Sequence, residues 1–461
     1  MLGKMKRIHF VGIGGIGMSG IAELLKNQGF TISGSDMRQS AITNHLRDIG
    51  IPICIGHDPE LIIDADVIVK SSAVMDDNPE IISGKERKIP VIRRAEMLAE
   101  IMRMSFGICI AGTHGKTSTT SMTATVLEAA KLDPTVIVGG IVKNYGSNNL
   151  LGSGKYIVAE ADEFDRSFLS MYPCLAGITN IDADHLDCYD DLECIKSAFI
   201  EFANKVPFFG SVICCLDDNG VQSVISKIHK KIITYGFSTQ ATVRAIDMEM
   251  KDFQSSYTAL LSGKELGKIY LNVTGRHNVL NSLLAVAVGL ELEVPFSRIQ
   301  KGLAEYNGVF RRFEFKGNIN DILVYDDYCH HPTEIIATLD AVRGNTDRRI
   351  IALFQPHLYS RTRDFYQEFG RSFYQSDTLI VTPIYPARES PIPGITGKMI
   401  ADAAIQSGHQ HVHYITNNDE IVKTLESHCK PGDIVITMGA GNIYKYGEEY
   451  LSYAAKDDSQ N

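Results

Sequence analysis

The sequence FGICIAGTHGKTSTTSMTA, at residues 106–124, decides the fold class of this chain. An apolar, β-rich run ends at Ala111, a tight glycine turn follows, and a helical pattern begins at Thr117. In such a strand–turn–helix unit the backbone amides of the turn surround phosphate groups, the Lys reaches their oxygens and the Ser or Thr binds Mg²⁺. The common Walker pattern has a glycine where this chain has Ile110, but an accidental GKT in this setting is rare. We therefore predict a phosphate-binding loop formed by Gly112, Thr113, His114, Gly115, Lys116, Thr117 and Ser118.

The same alternation of strand and helix extends to both sides of this loop. We predict strands at residues 7–11, 30–33 and 67–69 before it, and at 156–159, 176–179, 212–216, 322–325, 350–354, 379–382 and 433–437 after it. Residues 232–274 carry short alternating runs that predict a small antiparallel patch instead. This alternation indicates an α/β fold with mainly parallel sheets. At about 150 residues per domain, the 461 residues predict three domains, with linkers near 104 and 312.

The composition narrows the partners and the compartment. With 45 Lys and Arg against 55 Asp and Glu, the formal charge is −10, whereas proteins that hold nucleic-acid phosphates normally carry a basic excess. No run of about 18 apolar residues is present, and the N-terminus leads directly into a strand rather than a signal peptide. None of the nine cysteines forms a CxxC pair, and most lie in apolar runs, which is typical of reduced thiols. We therefore expect a cytoplasmic protein without membrane insertion and without a nucleic-acid partner.

A second glycine turn lies near the N-terminus. Gly12, Gly14 and Gly17 match GxGxxG between a predicted strand and a helix, and Asp36 closes the next strand. This arrangement predicts a nucleotide diphosphate at the N-terminus of the helix. It does not distinguish NAD, FAD and a UDP-sugar, so a nicotinamide oxidoreductase remains an alternative, although that function leaves GKT, Glu160 and His185 unexplained.

Polar residues follow two further strands of the central segment. Glu160 comes after KYIVA, and His185 follows the strand at 176–179 within NIDADH. Ligands of open α/β sheets bind at the carboxyl ends of the strands, so these side chains could hold Mg²⁺ ions that bridge ATP phosphates. The acidic residues farther along, Asp187, Asp190 and Asp191, are predicted to be solvated surface.

Two polar clusters in the last segment predict a substrate crevice. The sequence DDYCHH at 326–331 follows the strand ILVY, and QPHLYSR at 355–361 follows IIALF. Cys329, His330 and His331 invite a zinc assignment, but three consecutive residues of an extended chain cannot all face one ion, and no partner pair has ligand spacing. A non-catalytic nucleotide-binding switch is a further alternative, and it would not need these residues.

Ten motifs, in order along essentially the whole chain, resemble those of the Mur ligase family: HFVGIGGIGMSGIA, SSAVMDDNPE, AGTHGKTSTT, EADEFD, TNIDADHLD, GRHNVLN, RRFE, DDYCHHPTE, QPHLYSR and GAGNIY. The resemblance implies an N-terminal Rossmann-like domain that binds the UDP-sugar at 1–104, a central P-loop ATPase domain at 105–312, and a C-terminal Rossmann-like domain that binds the amino acid at 313–461.

The implied activity is the ATP-dependent ligation of L-alanine to the lactyl carboxylate of UDP-N-acetylmuramate, through an acyl phosphate, in peptidoglycan precursor synthesis. The implied partners are UDP-N-acetylmuramate, L-alanine and ATP, with Mg²⁺, which Mn²⁺ can replace, and the chain is expected to be a monomer or a homodimer. The alternative within the family is a recycling ligase that attaches a preformed peptide to the same UDP-sugar, and the alanine pocket discriminates between the two.

The resemblance also implies roles for individual residues. The UDP-sugar is expected at Gly12, Gly14, Gly15, Gly17, Met18, Ser19, Asp36, Ser71 and Ser72. Adenine is expected at His277, Asn278 and Asn281, the ribose at Asp326 and the phosphates near Arg312. The expected metal ligands are Thr117, Glu160 and His185. Alanine is expected at Tyr328, His330, His357 and Arg361, and the residues expected to act in catalysis are Lys116, His185, His330 and Arg361. The chain departs from several relatives at Leu358, where they carry a basic residue.

Overall fold

The computed structural model describes residues 5–103, 105–184, 188–387 and 389–457. Three sheets, mostly parallel and alternating with helices, confirm the predicted α/β fold. The chain divides into two compact units, one of residues 1–248, 257–270 and 280–307 and the other of residues 249–256, 271–279 and 308–461. Among the described helices, none combines the length and apolar character needed to cross a lipid bilayer. The predicted domain boundaries near 104 and 312 stay predictions.

The first sheet has five parallel strands in the order β3-β2-β1-β4-β5. Its elements are β1 (Arg7–Val11), α1 (Ile16–Asn27), β2 (Thr31–Asp36), α2 (Ala41–Asp48), β3 (Ile53–Ile55), β4 (Val67–Lys70), α3 (Pro79–Glu86), β5 (Val91–Arg93) and α4 (Arg94–Met102). The apolar run of β1 is buried at the centre of this sheet. The N-terminal glycine turn follows the carboxyl end of β1, so it lies at the edge where ligands of such sheets bind.

The second sheet has ten strands in the order β15-β14-β13-β12-β11-β10-β6-β9-β7-β8. Its elements are β6 (Phe106–Ala111), α5 (Lys116–Ala129), β7 (Thr135–Val142), β8 (Ser147–Leu150), β9 (Tyr156–Ala161), β10 (Leu175–Ile178), α6 (Leu192–Asn204), β11 (Ser211–Cys215), α7 (Asn219–Ile225), β12 (Lys231–Gly236), β13 (Val243–Lys251), β14 (Gln254–Leu261), β15 (Lys264–Leu271), α8 (Arg276–Glu291) and α9 (Phe296–Glu305). Turns of two residues join β13 to β14 and β14 to β15. These hairpins are the antiparallel patch predicted from the sequence.

A continuous apolar core joins the first two sheets. Met97, Leu98 and Ile101 on α4 are buried in the same cluster as residues of β6 and β10. The thiol of Cys109 on β6 lies 3.9 Å from the Met102 sulfur, which ties the end of α4 to the strand that precedes the phosphate-binding loop. Both glycine turns are therefore supported by one packed body.

The third sheet has six strands in the order β16-β17-β21-β18-β19-β20, with β16 antiparallel to β17 and the others parallel. Its elements are β16 (Glu314–Ile319), β17 (Ile322–Asp327), α10 (Pro332–Arg343), β18 (Ile350–Phe354), α11 (Tyr359–Gly370), β19 (Thr378–Val381), α12 (Lys398–Gln406), β20 (Val412–Tyr414), α13 (Ile421–His428), β21 (Ile434–Met438) and α14 (Tyr444–Asp457). Apolar clusters cover both faces. The polar segments after β17 and β18 follow two parallel strands, both of which pair with β21.

Candidate active site

The loop between β6 and α5 has the backbone conformation of a phosphate cradle. Gly112 has a φ of +140° and Gly115 a φ of +81°, values that side chains disfavour. A Cβ at Gly112 would lie 1.9 Å from the Thr179 hydroxyl, and one at Gly115 would lie 2.7 Å from the amide oxygen of Asn281. Only glycine fits at these two positions, so Thr179 and Asn281 can pack directly against this loop at a helix N-terminus, where anions bind.

Hydrogen bonds fix this loop to the segment after β10. The His114 amide donates to the Asn180 side chain at 2.7 Å, and the Thr179 hydroxyl donates to the His114 carbonyl at 2.7 Å. The Asp182 amide donates to the Thr113 hydroxyl at 2.9 Å, and the imidazole of His114 lies 3.4 Å from the Asp182 carboxylate. The loop is therefore held in shape by protein contacts alone. Ser118 is buried in the first turn of α5.

Lys116 is the cation of the loop, and it lies among carboxylates. Its ammonium donates to Glu163 at 2.7 Å and to the Gly112 carbonyl at 2.7 Å, and it lies 3.7 Å from Asp162. The Lys116 side chain is 14% exposed and that of Glu163 is 2% exposed. Burial alone would lower the pKa of Lys116, but the neighbouring carboxylates of Glu163, Asp162 and Glu160 raise it above its ordinary value, so the ammonium stays charged.

Thr117 and Glu160 meet beside the loop, as the metal prediction requires. Glu160 lies at the end of β9, and its backbone pairs with Ile110 of β6. Its carboxylate accepts a hydrogen bond from the Gly139 amide at 2.8 Å and another from the Thr117 hydroxyl. Burial raises the pKa of Glu160, and a bound cation would oppose that rise. A hydroxyl and a carboxylate are oxygen donors of the kind that Mg²⁺ prefers. The third predicted ligand, His185, lies outside the described residues.

The N-terminal glycine turn is braced by Asp36. Gly12 has a φ of +79°, and its amide donates to the Ser35 carbonyl at 2.9 Å. The Gly14 amide donates to the Asp36 carboxylate at 2.8 Å, and a Cβ at Gly14 would lie 2.8 Å from the same oxygen. The structure therefore gives Asp36 a role in shaping the turn. Contact between Asp36 and the UDP-sugar stays a prediction.

The start of α1 faces this turn and has a cation beside it. Gly15 caps α1 without any side-chain hydrogen bond, which leaves a helix N-terminus of the type that binds phosphate. The guanidinium of Arg94, at the start of α4, lies 3.2 Å from the position that a Cβ of Gly17 would occupy. Arg94 was not predicted from the sequence, because only the fold brings this residue close to Gly17.

The other residues predicted for the UDP-sugar surround the same turn. The amides of Met18 and Ser19 both donate to the Gly15 carbonyl, and the Met18 side chain is buried in the core. A Cβ at Gly12 would lie 3.0 Å from the Cβ of Ser71, so that serine lies against the turn. Ser72 is exposed.

A buried polar network, which sequence analysis missed, lies behind the N-terminal turn. The Glu80 carboxylate is fully buried, 2.9 Å from His9, 2.9 Å from His57 and 2.8 Å from the Ser35 hydroxyl. Burial alone would raise the pKa of Glu80, but the hydrogen bonds from these three side chains lower it below its ordinary value. The Ser35 carbonyl also accepts from the Gly12 amide, so this network stabilises the backbone of the turn.

The residues predicted for adenine lie in the first two turns of α8. Asn281 is buried, and its amide lies against Gly115. The side-chain amide of Asn278 donates to the Thr274 carbonyl at 2.8 Å. Burial, followed by the nearby charge of Arg312, lowers the pKa of His277 to about 4, so its ring is neutral at pH 7. A neutral ring and two amides suit an uncharged base, but the adenine contacts stay a prediction.

The third sheet brings the predicted aromatic residues of the alanine pocket together. The rings of Tyr328 and His330 are 5.4 Å apart, and those of His330 and His357 are 5.8 Å apart. His330 Nδ1 lies 3.1 Å from the Tyr328 carbonyl and 3.4 Å from the Glu334 carboxylate, which can both only accept, so Nδ1 carries a proton. When the ring is neutral, its lone pair is therefore on Nε2, as a proton acceptor at that atom requires.

Arg311 and Arg312 both lie over the Tyr328 ring, but they pair with different carboxylates. Arg312 pairs with Glu334 at 3.2 Å and lies over the Tyr328 ring. Arg311 donates to Asp326 at 3.1 Å and to the Gly439 carbonyl at 2.7 Å, so it links β17 to the loop after β21. The second oxygen of Asp326 accepts from Thr437 at 2.7 Å, and the carboxylate is fully buried. Binding of the ribose by Asp326 stays a prediction.

The segment that contains Arg361 begins with a strained residue. Leu358 has a φ of +70°, which is uncommon for a residue with a side chain and occurs preferentially at functional sites. Its amide donates to the Tyr385 carbonyl, and its own carbonyl accepts from the Thr362 hydroxyl. Arg361 is buried in the first turn of α11, so both a helix N-terminus and a guanidinium lie where an anionic group could bind.

The consecutive residues Cys329, His330 and His331 have different surroundings. Cys329 is buried in the apolar core of the third sheet, where burial raises its pKa well above the ordinary value. His331 accepts from the Thr333 amide as the N-cap of α10, and its ring lies 5.4 Å from that of Phe365.

Asp191, predicted to be surface, is exposed and caps α6.

Comparisons with known proteins agree with this geometry. Three family models match the chain: the Mur ligase family, catalytic domain, at residues 7–106, the Mur ligase middle domain at 110–289, and the Mur ligase, glutamate ligase domain at 311–441. A UDP-N-acetylmuramate–L-alanine ligase from Geotalea uraniireducens is 53% identical over 448 residues, which is 97% of this chain and 98% of that protein. One from Trichlorobacter lovleyi is 53% identical over 450 residues, or 97% and 99% of the two chains.

Solved structures are similar over the same length. The UDP-N-acetylmuramate-alanine ligase of Thermotoga maritima superposes with a TM-score of 0.81 at 29% identity, covering 98% of this chain and 100% of that one. A murein peptide ligase from Psychrobacter arcticus, with a TM-score of 0.69 at 24% identity over 97% and 98% of the chains, shares the fold. These matches confirm the family predicted from the motifs, and the chain belongs to the Mur ligase family.

Proposed function

We propose that the chain is an ATP-dependent ligase that joins L-alanine to the lactyl carboxylate of UDP-N-acetylmuramate in peptidoglycan precursor synthesis. The observation that carries the proposal is the 50–53% identity, over 97–99% of the chain, to relatives that are all named for this reaction. The phosphate-binding loop, the His330 imidazole and the buried Arg361 supply chemistry that such a reaction needs.

The reaction requires activation of a carboxylate, which is a poor acylating agent. A carboxylate oxygen attacks the γ-phosphorus of ATP, ADP leaves, and an acyl phosphate forms. The amine of alanine then attacks the acyl carbon, the bond to the phosphate oxygen breaks, and an amide and inorganic phosphate result. One amine proton must pass to a base, and water must be excluded because it would hydrolyse the acyl phosphate.

The residues around the P-loop fit the first step. Lys116, held charged by its surroundings, neutralises oxygens of the transferring phosphoryl group. Thr117 and Glu160, with His185, would hold Mg²⁺ or Mn²⁺, which when bound neutralises phosphate charge. The amides of the loop orient the phosphates at the N-terminus of α5.

The residues after β17 and β18 fit the second step. Arg361 binds the alanine carboxylate through two parallel N–H···O bonds, a geometry that its planar guanidinium favours. His330 accepts the amine proton at Nε2, because Nδ1–H is already held by a carbonyl. Tyr328 and His357 border the same space through their ring contacts with His330.

The UDP-sugar end is assigned to the N-terminal turn. The amides at the start of α1 and the Arg94 guanidinium together favour a diphosphate. We accordingly keep domain boundaries near 104 and 312, with the UDP-sugar, ATP and alanine on successive domains. The nine cysteines all lie within the described residues and form no disulfide there, which supports placing the reaction in the cytoplasm.

Among the alternatives, the recycling ligase shares the fold of this chain, but the relatives at 50–53% identity carry the alanine name. A nicotinamide oxidoreductase would leave the loop around Lys116 without a purpose. A switch that only binds nucleotide would need neither His330 nor Arg361.

The test is phosphate release over a matrix of UDP-sugars and amine substrates. We expect release only with ATP, UDP-N-acetylmuramate and L-alanine together, loss of release in excess EDTA, and recovery with Mg²⁺ or Mn²⁺. Faster release with a preformed peptide than with alanine would favour the recycling ligase, and full release in EDTA would overturn the metal assignment.

A further inference from the structure

A cavity lined by histidines lies at the far edge of the third sheet, apart from the residues after β17 and β18. Its volume is about 510 Å³, and the side chains around it include His409, His411, His413 and His428. Four of the fourteen histidines of the chain therefore line a single cavity, and none of them has a role in the proposed ligation.

The spacing of two of these histidines follows from the edge strand β20. His413 lies in β20, and the His411 carbonyl accepts from the Leu379 amide at 2.9 Å, so the extended pairing with β19 already includes His411. Residues two apart on a strand project from the same face, about 6.6 Å apart along the chain. His411 and His413 therefore present two imidazoles on the same side of an edge strand.

The third imidazole comes from the C-terminal end of α13. The rings of His413 and His428 have centroids 4.2 Å apart. His428 Nδ1 lies 2.8 Å from the Thr424 carbonyl, so Nδ1 carries the proton and the lone pair lies on Nε2. A backbone carbonyl that accepts from the other ring nitrogen is the usual support of a metal-bound histidine, because it fixes the tautomer and the ring orientation.

We propose that His411, His413 and His428 form a binding site for a divalent transition-metal ion of the zinc type. Imidazole nitrogens suit Zn²⁺, Ni²⁺ and Cu²⁺, whereas Mg²⁺ prefers oxygen, so this site differs in chemistry from the one beside Thr117. His413 and His428 are already adjacent, and the exposed His411 side chain completes the set by rotating about its own bonds. Three ligands leave a coordination position for water.

The charges around the cavity allow a cation to bind. Arg349, on its border, is engaged by both oxygens of Asp433 at 2.6 and 3.0 Å, so its charge is neutralised.

His409 lines the same cavity but provides a matched control. Its Nδ1 accepts from the His411 amide at 3.3 Å, so its Nε2 carries the proton and donates to the Ser376 hydroxyl at 3.1 Å. The Ser376 hydroxyl in turn donates to the Phe373 carbonyl. Both nitrogens of His409 are thus engaged, and the ring has no lone pair for a metal.

The experiment is calorimetric titration of ZnCl₂ into full-length protein, stripped with EDTA and returned to saturating MgCl₂. The variants are His411→Gln, His413→Gln and His428→Gln, with His409→Gln as control. We expect the wild type and His409→Gln to bind one more equivalent of Zn²⁺ than the other three, or to bind it at least about tenfold more tightly. Zn²⁺ should also raise the melting temperature of the wild type and of His409→Gln, but not that of the other three variants.

Circular dichroism without added Zn²⁺ reports whether each variant has folded, and we expect the spectrum to be unchanged in all four. Equal Zn²⁺ affinity and stoichiometry in the wild type, His413→Gln and His428→Gln would overturn the proposal. Loss of the site in His409→Gln to the same degree as in His413→Gln would overturn the assignment of the three ligands. Because neither result involves ATP, the outcome is independent of the proposed ligation.

Discussion

Replacing Lys116 by methionine should damage the protein in two separable ways. The side chain keeps its approximate length but loses the ammonium that lies 2.7 Å from Glu163. Removing one partner of a buried ion pair costs about 3–5 kcal/mol, because the remaining charge stays in a site that water hardly reaches. Losing one group that stabilises transition-state charge costs about 100- to 1000-fold in rate, or about 2.7–4 kcal/mol. The two effects are similar in size, so lost activity in the single variant would be ambiguous.

The double variant Lys116→Met/Glu163→Gln separates the two effects. Neutralising Glu163 removes the buried charge, so most of the lost stability should return while phosphate release stays at least about 100-fold below the wild type. Lys231→Met is the control, because Lys231 pairs with Glu291 at 2.6 Å but is 60% exposed, and such pairs contribute about 0–1 kcal/mol.

The assays are thermal unfolding, followed by circular dichroism, and phosphate release at saturating substrates. A Lys116→Met protein as stable as Lys231→Met would refute the reasoning from the buried pair. Recovery of near wild-type phosphate release in the double variant would refute the role of the ammonium in phosphoryl transfer.

Three further outcomes follow from other parts of the molecule. Gly112→Ala should lose phosphate release and have a lower melting temperature, because its Cβ would lie 1.9 Å from Thr179. Gly29→Ala is the control: Gly29 also has a positive φ, but no atom lies within 4 Å of its Cβ position, so this variant should keep its activity. Arg361→Lys should raise the alanine KM at least about tenfold, which is the scale of a lost charged hydrogen bond. The KM values for ATP and the UDP-sugar should stay within a few-fold of those of the wild type. An unchanged alanine KM in steady-state kinetics would contradict the assignment of Arg361 to alanine. The pKa of Glu80 is lowered, so its contribution to stability is complete above its ordinary pKa and is lost as the pH falls through the lowered value. In Glu80→Gln the melting temperature should therefore depend less on pH in the acid range than in the wild type. Parallel curves of melting temperature against pH for the two proteins would contradict this.

The sequence predicted what depends on neighbours along the chain. The strand from 106 to 111, the glycine turn and the helix beginning near Thr117 are set by local propensity and by two glycines, and the structure has β6 and α5 at those places. The carboxyl-end rule for parallel strands was enough to select Glu160 as a neighbour of the loop. The order of the strands depends on contacts far apart in sequence and could not be obtained in this way.

The site residues that were not predicted are brought together by contacts between residues far apart in the sequence. Glu163 is 47 residues from Lys116, and only the pairing of β6 with β9 brings its carboxylate to the loop. Glu80 lies in the acidic stretch DDNPE, which is typical of solvated surface, and nothing nearby indicates that it is buried against His9. No pattern in RRFE distinguishes Arg311, which links two strands, from Arg312.

The charges around the P-loop explain why the proposed reaction should need a divalent cation at all. Lys116 is one positive charge, and the carboxylates of Glu160, Asp162 and Glu163 all act on it, so the loop is surrounded by more negative charge than it neutralises. A triphosphate brings further negative charge into this partly buried site, where the effective dielectric constant is far below that of water and repulsion between charges a few ångströms apart amounts to several kcal/mol. Backbone amides lower that energy, but their dipoles are partial charges and cannot balance it. The carboxylate of Glu160 and the hydroxyl of Thr117 are oxygen donors at the border between the loop and the carboxylates. A cation held there would lie between the two sets of negative groups, and the same acidic residues that oppose the nucleotide alone would then favour the nucleotide together with its metal.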